Sequence, residues 1–143
     1  MAVTTFAAID IGSYEVSMKI FEMSRRIGFR EINDVRYQLE LGRGTYAAGR
    51  LEMETVDELC EILNDFKRMM ADFGVESWRA CATSSLRELK NPTIILEQIY
   101  QRTGIRVEIL SNAEQHFLGY KSIAAIESGF KKAIQKGTAI LDI

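Results

Sequence analysis

The sequence contains few of the residues that build disulfide, metal or redox centres. Two cysteines, Cys60 and Cys81, and one histidine, His116, occur among 143 residues. The cysteines are far apart, so they form neither a C-x-x-C motif nor a disulfide framework. The lone histidine has no histidine or cysteine neighbour, which argues against a zinc cluster or a histidine-centred triad. We therefore expect a reducing, cytoplasmic location.

Long apolar runs and an excess of basic charge are also missing. No stretch approaches the roughly 18 apolar residues that a membrane span needs, and the amino terminus lacks the pattern of a signal peptide. The 18 basic and 20 acidic residues give a formal net charge of −2. A dedicated binder of nucleic acid or of an acidic membrane surface would show a concentrated basic excess. We therefore expect neither DNA nor a membrane as a partner.

The composition is instead that of one globular domain. Hydrophobic residues make up 47% of the chain and charged residues 27%. A chain of this length buries roughly two-thirds of its unfolded surface, so a core can form without disulfides or a structural metal. Because only one proline and ten glycines interrupt the chain, the segments between them are expected to be regular elements.

The order of the predicted elements indicates a mixed α/β sheet. Strands are predicted at residues 3–11, 15–23 and about 29–41, and Gly42, Gly44 and Gly49 are expected to mark a loop. Further along, we predict a helix at about 55–73, a strand at 78–83, a helix capped by Asn91 that runs from Pro92 to Thr103 and ends at Gly104, a strand at 105–110, a helix at about 111–128 and a strand at 138–143. The order βββαβαβαβ predicts a meander continued by parallel strands, which is the ribonuclease-H-like arrangement.

The first predicted strand ends in the sequence Asp10-Ile11-Gly12-Ser13. A glycine at this point lets the backbone approach an anion closely, and adjacent N–H groups and a hydroxyl can donate to phosphate oxygens. The Asp10 carboxylate can hold a metal ion or a water beside them. The alternative is an ordinary hairpin turn, because short D-x-G patterns are common.

A second polar segment follows the fourth predicted strand and contains Ser84, Ser85, Arg87 and Glu88. Open sheets with parallel strands bind ligands at the carboxyl ends of those strands. Hydroxyls together with a guanidinium, which supplies paired donors, suit a phosphoryl group. The alternative is a serine-rich helix cap with a surface ion pair between Arg87 and Glu88.

The fifth predicted strand is followed by Ser111, Glu114 and Gln115. Ser111 and Glu114 have the spacing of an S-x-x-E capping box, which is a structural role for the glutamate. Gln115 is then expected to contact a ligand over the edge of the sheet. Asp142 ends the last predicted strand as Asp10 ends the first, so we predict that these two aspartates face each other across one cleft.

Together these segments resemble the exopolyphosphatase/guanosine pentaphosphate phosphohydrolase (Ppx/GppA) family. The matching segments are AAIDIGS at 7–13, ATSSLRE at 82–88, a strand followed by SNAEQ at 105–115, and AILDI at 139–143. The resemblance implies a ribonuclease-H-like domain of the actin-like ATPase superfamily. It also implies a Mg²⁺-dependent enzyme that releases terminal phosphate from inorganic polyphosphate or guanosine pentaphosphate.

The resemblance also implies a role for each matching residue. By similarity, the metal and water residues are Asp10 and Asp142, the phosphate-binding residues are Gly12, Ser13, Tyr14, Ser84, Ser85 and Arg87, and the catalytic water is positioned by Glu114 or Gln115. In the family a second, similar domain closes the cleft. We therefore expect residues 1–143 to be the amino-terminal domain of a larger two-domain protein, inactive by itself. An exposed terminal strand is expected to permit a homodimer.

Three residues depart from the family pattern. Tyr14 replaces the usual asparagine of the first loop, Gln115 stands where the family has the glutamate proposed as the base, and Phe117 replaces an arginine. A glutamine can orient a water but has no useful basicity. Gln115 therefore favours, as an alternative, a non-catalytic sensor of phosphate or an alarmone. The turn at Asp10 also permits an ATP-dependent kinase or an actin-like ATPase, which the later segments disfavour.

Overall fold

The first three strands form the predicted antiparallel meander. The computed structural model of the chain describes residues 2–26, 28–126 and Gln135. Strands β1 (Thr4–Ile11), β2 (Glu15–Ser24) and β3 (Gly28–Gln38) pair in sequence order. Alternate residues of β1 and β2 are buried on one face, as expected for a half-buried sheet. These buried residues are Ala7, Ile9, Ile11, Val16, Met18 and Ile20.

Two parallel strands extend this meander into a five-stranded sheet. Strand β4 (Ser77–Ala82) pairs with β1, and β5 (Val107–Ile109) pairs with β4. The strand order is β3-β2-β1-β4-β5. Because β1, β4 and β5 are parallel, their carboxyl ends meet at one edge of the sheet. That edge is where the polar segments after β1 and β4 begin.

The described part of the chain contains five helices in addition to the sheet. They are α1 (Leu41–Ala48), α2 (Met53–Asp72), α3 (Ser84–Arg87), α4 (Pro92–Thr103) and α5 (Asn112–Ile126). The chain divides into two compact units, Met1–Ile109 with the sheet and α1 to α4, and Leu110–Ile143 with α5. The strand predicted at 138–143, including Asp142, lies outside the described residues.

Helix α2 supplies the largest helical share of the core. Val56, Leu59, Leu63 and Phe66 are fully buried, and the Phe66 ring centroid lies 5.7 Å from that of Tyr37 on β3. Burying one such side chain stabilises the fold by about 1.5–3 kcal/mol. Gly74 follows the C-cap residue Phe73 and has φ +61°. The Val75 N–H donates to the Met70 carbonyl at 2.8 Å, and that bond completes a Schellman cap.

The loop predicted at the glycines after β3 is wrong, because Gly42 and Gly44 lie inside helix α1. Glycine usually disfavours helix. At Gly42 it permits close packing, since an added Cβ would lie 2.7 Å from the Tyr46 ring. Only Gly49, with φ +67°, ends the helix, and its N–H donates to the Thr45 carbonyl at 2.7 Å. Tertiary contact therefore overrides the local preference.

Other boundaries differ by a few residues from those predicted. Strand β5 covers only Val107–Ile109. Helix α4 begins at Pro92 after Asn91, as predicted, but within the described residues the Asn91 side chain makes no capping hydrogen bond. Within the described residues neither cysteine forms a disulfide. Among the described helices none combines the length and apolar character that crossing a membrane requires.

Candidate functional site

The turn after β1 is a tight hairpin that uses its glycine internally. The Gly12 N–H donates to the Glu15 carbonyl at 3.0 Å, and a Cβ at Gly12 would approach that same oxygen to 3.0 Å. The turn geometry therefore accounts for this glycine. Because the Gly12 N–H is already used, it does not donate to an anion in this arrangement.

Three hydroxyl groups meet at the edge where β1 and β4 end. The Ser13 Oγ lies 2.9 Å from the Ser84 Oγ and 2.7 Å from the Tyr46 hydroxyl. The Tyr46 hydroxyl in turn donates to the Ser84 Oγ at 2.7 Å. We call Ser13, Tyr46 and Ser84 the hydroxyl triad. It joins the turn after β1, helix α1 and helix α3, and its serines are half-buried.

Sequence reasoning missed Tyr46, because it treated the surrounding glycines as a loop. Once α1 is recognised as a helix, Gly42 and Tyr46 are four residues apart and share one face. The Gly42 N–H also donates to the Ser13 carbonyl at 2.8 Å, which fixes the start of α1 against the first turn. The G-x-x-x-Y spacing is the signal that points to this tyrosine.

The two neighbouring serines of α3 have different environments. Ser84 belongs to the hydroxyl triad, whereas Ser85 is fully buried and donates to the Gly12 carbonyl at 3.3 Å. The Ser85 hydroxyl thus ties α3 to the turn after β1. Its proton is committed to the protein backbone, so in this arrangement Ser84 is the serine that can face a ligand.

Arg87 and Tyr14 lie near these elements in sequence and have distinct contacts. Arg87 follows Ser84 by three residues in α3, so the two share a helical face. Its side chain is 22% exposed, and its Nε lies 3.9 Å from Glu88, the outer limit of an ion pair.

Tyr14 is 62% exposed, and its hydroxyl accepts a hydrogen bond from Gln38 at 3.2 Å. The Tyr14 side chain is thus anchored toward β3.

Asp10 is the titratable group of the first segment whose pKa is clearly displaced. Although the residue is solvent-accessible, partial burial of its carboxyl group raises the pKa, and the nearby negative charge of Glu15 raises it further. Across the sheet, Asp10 pairs with Ser17 of β2 and Cys81 of β4. A cation or a hydrogen-bonded water beside Asp10 would relieve this unfavourable charge.

The described residues could hold a magnesium ion only together with other ligands, such as waters and substrate phosphates. Among residues 2–26, 28–126 and Gln135, no group of three acidic, histidine or cysteine side chains could form a protein cage for a metal. Magnesium is usually held by one or two carboxylates, with waters and substrate phosphates completing its shell. Asp10 can supply one such carboxylate. Asp142, the second predicted ligand, lies outside the described residues.

The second unit contains the capping box predicted at the start of α5. The Glu114 N–H donates to the Ser111 Oγ at 3.2 Å, and the Glu114 carboxylate accepts from the Ser111 N–H at 2.8 Å. The same carboxylate oxygen lies 2.8 Å from the Ser111 hydroxyl. Glu114 therefore has a structural role. Gln115 stands in the same first turn, and its N–H donates to the Ser111 carbonyl at 2.9 Å.

Comparison with known proteins identifies the family. A model of the Ppx/GppA phosphatase family matches residues 20–135. The chain belongs to this family. Exopolyphosphatase 2 of Mycobacterium tuberculosis is 26% identical over 129 residues, covering 85% of this Ppx/GppA chain and 40% of the relative. The guanosine-5'-triphosphate,3'-diphosphate pyrophosphatase of Vibrio parahaemolyticus is 26% identical over 126 residues, or 87% of this chain and 25% of the relative.

A solved structure confirms the ribonuclease-H-like, actin-like fold of this Ppx/GppA chain. The crystal structure of the Aquifex aeolicus family member matches it with a TM-score of 0.81 and 28% identity, covering 86% of this chain and 40% of that one. The chain thus spans two-fifths or less of the length of these relatives.

Proposed function

We propose that this Ppx/GppA chain binds the terminal part of a phosphate chain, and that the whole protein releases the terminal phosphate from inorganic polyphosphate or guanosine pentaphosphate. The observation that carries this proposal is the hydroxyl triad at the edge where β1 and β4 end. Two of its members, Ser13 and Ser84, are half-buried hydroxyls that can donate to phosphoryl oxygens. The edge is also the usual ligand-binding position in sheets with parallel strands.

In the proposed reaction each side chain acts on a different part of the phosphate. Ser13 and Ser84 donate hydrogen bonds to oxygens of the terminal phosphoryl group, and Arg87 supplies positive charge near Ser84. Asp10, with Asp142, would hold Mg²⁺, which when bound neutralises charge on the phosphate oxygens. A water oxygen forms a bond to the terminal phosphorus as the bridging P–O bond breaks, and the shortened chain leaves with the bonding electron pair.

Activation of the water distinguishes this chain from the family pattern. We assign Gln115 to orient the water, since an amide accepts a hydrogen bond but has no useful basicity. The proton of the attacking water is then carried away by the phosphate products. Glu114 is engaged with Ser111 at the helix cap, so its use as a base would require giving up those hydrogen bonds.

Phosphate release from inorganic tripolyphosphate and from guanosine pentaphosphate tests the proposal in the full-length protein. We expect slow turnover that increases about a hundredfold in Gln115→Glu, because a positioned general base contributes at least that much. The matched variant Glu114→Gln removes a carboxylate from the preceding position and should leave turnover within about threefold, provided that it melts normally. The ratio of kcat/KM for the two compounds identifies the preferred substrate.

The result would contradict the enzyme proposal if parent and Gln115→Glu both bound tripolyphosphate without releasing phosphate. In that case a sensor function would account for the data. If Glu114→Gln abolished turnover and Gln115→Glu changed nothing, the water would be positioned by Glu114 instead.

A further inference from the structure

Tyr46 is the member of the hydroxyl triad that no sequence motif predicted. It projects from α1, the residue is 58% exposed, and its hydroxyl lies 2.7 Å from both serine oxygens. The ring is held in place by the packing of α1. Gly42 lies four residues earlier on the same helical face, and a Cβ there would lie 2.7 Å from the Tyr46 Cε2. The helix thus leaves room for this ring to lean toward Ser13.

The three hydroxyls can share their protons in only a few ways. Each hydroxyl has one proton and two lone pairs. If all three protons point around the triad, none is directed to a ligand. If Tyr46 donates to Ser84 and Ser84 does not donate to Ser13, the Ser84 proton is free to turn outward. A phenol is a stronger hydrogen-bond donor than an aliphatic alcohol, so Tyr46 is the strongest donor of the three. Donation from Tyr46 also polarises the Ser84 hydroxyl and so strengthens the hydrogen bond that Ser84 donates.

We propose that Tyr46 is a positioning residue, which donates its hydroxyl proton to Ser84 and so directs the Ser84 hydroxyl toward a phosphoryl oxygen of the ligand. This inference rests on the proposed function, because it assumes that Ser84 contacts phosphate. It assigns to Tyr46 an effect on phosphate affinity that acts through Ser84. Removing the phenol oxygen should therefore matter only while Ser84 keeps its hydroxyl.

A double-mutant cycle on the full-length protein tests this coupling. Binding of inorganic tripolyphosphate is measured by titration calorimetry for the parent, Tyr46→Phe, Ser84→Ala and the double variant. We expect Tyr46→Phe to weaken binding about fivefold, in line with the loss of one hydrogen bond in a network that meets an anion. In the Ser84→Ala background the same change should have less than a twofold effect, because directly coupled residues are not additive.

The controls separate this effect from loss of structure. Tyr100→Phe removes a phenol oxygen from α4, where the ring lies under Arg106 with the guanidinium carbon 4.3 Å from its centroid. This control variant should bind tripolyphosphate as the parent does. Tyr46→Phe keeps the ring over Gly42, so its melting temperature should stay within about 2 °C of the parent value.

Each remaining outcome overturns a defined claim. Unchanged or tighter binding by Tyr46→Phe would overturn the positioning role, and tighter binding would mean that the phenol competes with the ligand. Equal effects of Tyr46→Phe with and without the Ser84 hydroxyl would also overturn it. If the parent does not bind tripolyphosphate, or if Ser84→Ala binds it as well as the parent, the proposed function itself fails.

Discussion

Helices α1 and α2 follow each other in the chain but are specified in different ways. Helix α2 has an apolar stripe at spacings of three and four, and these side chains fill the core against the sheet. Helix α1 has two internal glycines, no acidic residue in its first turn and no basic residue in its last. Its position depends on contacts with the turn after β1. The stabilising helix α2 is therefore specified by its own sequence pattern, whereas α1, the helix of the candidate site, is specified by its contacts.

The largest expected effect is on the stability contributed by α2. Phe66 is fully buried and contacts Tyr37, so Phe66→Ala should lower the free energy of unfolding by about 3–5 kcal/mol. The matched variant Phe73→Ala changes a 41% exposed residue at the end of the same helix and should lower it by less than about 1 kcal/mol. Urea unfolding measures both. Equal losses would show that the stripe is not what stabilises α2.

The next effect concerns ligand binding through α1. In Gly42→Ala the new methyl group would force the Tyr46 ring away, whereas the higher helix propensity of alanine, about 1 kcal/mol, offsets part of the strain. Tripolyphosphate affinity should therefore fall about fivefold, as in Tyr46→Phe, while the free energy of unfolding changes by less than about 1 kcal/mol.

Gly119→Ala is the matched control for that substitution. No heavy atom of the described residues lies within 4 Å of a Cβ at Gly119 in α5. This variant should gain up to about 1 kcal/mol of stability without a change in affinity. If Gly42→Ala bound tripolyphosphate like the parent, the contact between α1 and the turn after β1 would not be part of the binding site.

The smallest expected effect is the pH-dependent gain in stability of Asp10→Asn. The pKa of Asp10 is raised in the folded chain, so the folded state binds more protons than the unfolded state between the ordinary and the raised value. Stability therefore falls as pH rises through that window, and the penalty persists above it. Asp10→Asn should melt above the parent at about pH 7, with the difference vanishing below the ordinary carboxyl pKa of about 4.

Thermal melting at both pH values measures this effect. A parent that is the more stable of the two at neutral pH would contradict the raised pKa. Under the proposed function, Asp10→Asn should also reduce phosphate release, because an amide would not supply the proposed carboxylate ligand. A residue that destabilises the fold but supports the reaction would show that this edge of the sheet serves the reaction, whereas the core serves stability.

Much of the fold was predictable because its signals are local. The alternation in β1 and β2, the stripe of α2 and the capping box of Ser111 and Glu114 each depend on residues close together in sequence. Local signals failed at α1, where glycines indicated a loop. There the close approach of Tyr46 and Ser13 compensates for the poor helix propensity of Gly42.

The candidate site was predictable only in outline. The motifs after β1 and β4 indicated which segments to examine, and parallel strand pairing explains why these segments share one edge. The motifs did not distinguish Ser84 from Ser85, since the two serines are adjacent and chemically identical. Burial separates them: Ser85 donates to Gly12, and Ser84 joins the triad.

By itself the sequence determined most of the element types, α1 and α3 excepted, together with the family resemblance and the polar segments at the strand ends, because periodicity, caps and short motifs act over a few residues. Only the tertiary structure decided which hydroxyls meet. Ser13 and Ser84 are 71 positions apart, and Tyr46 lies 33 positions from Ser13. Such hydrogen bonds form only when the oxygen–oxygen distances are correct to within a few tenths of an ångström. The sheet register and the packing at Gly42 set these distances.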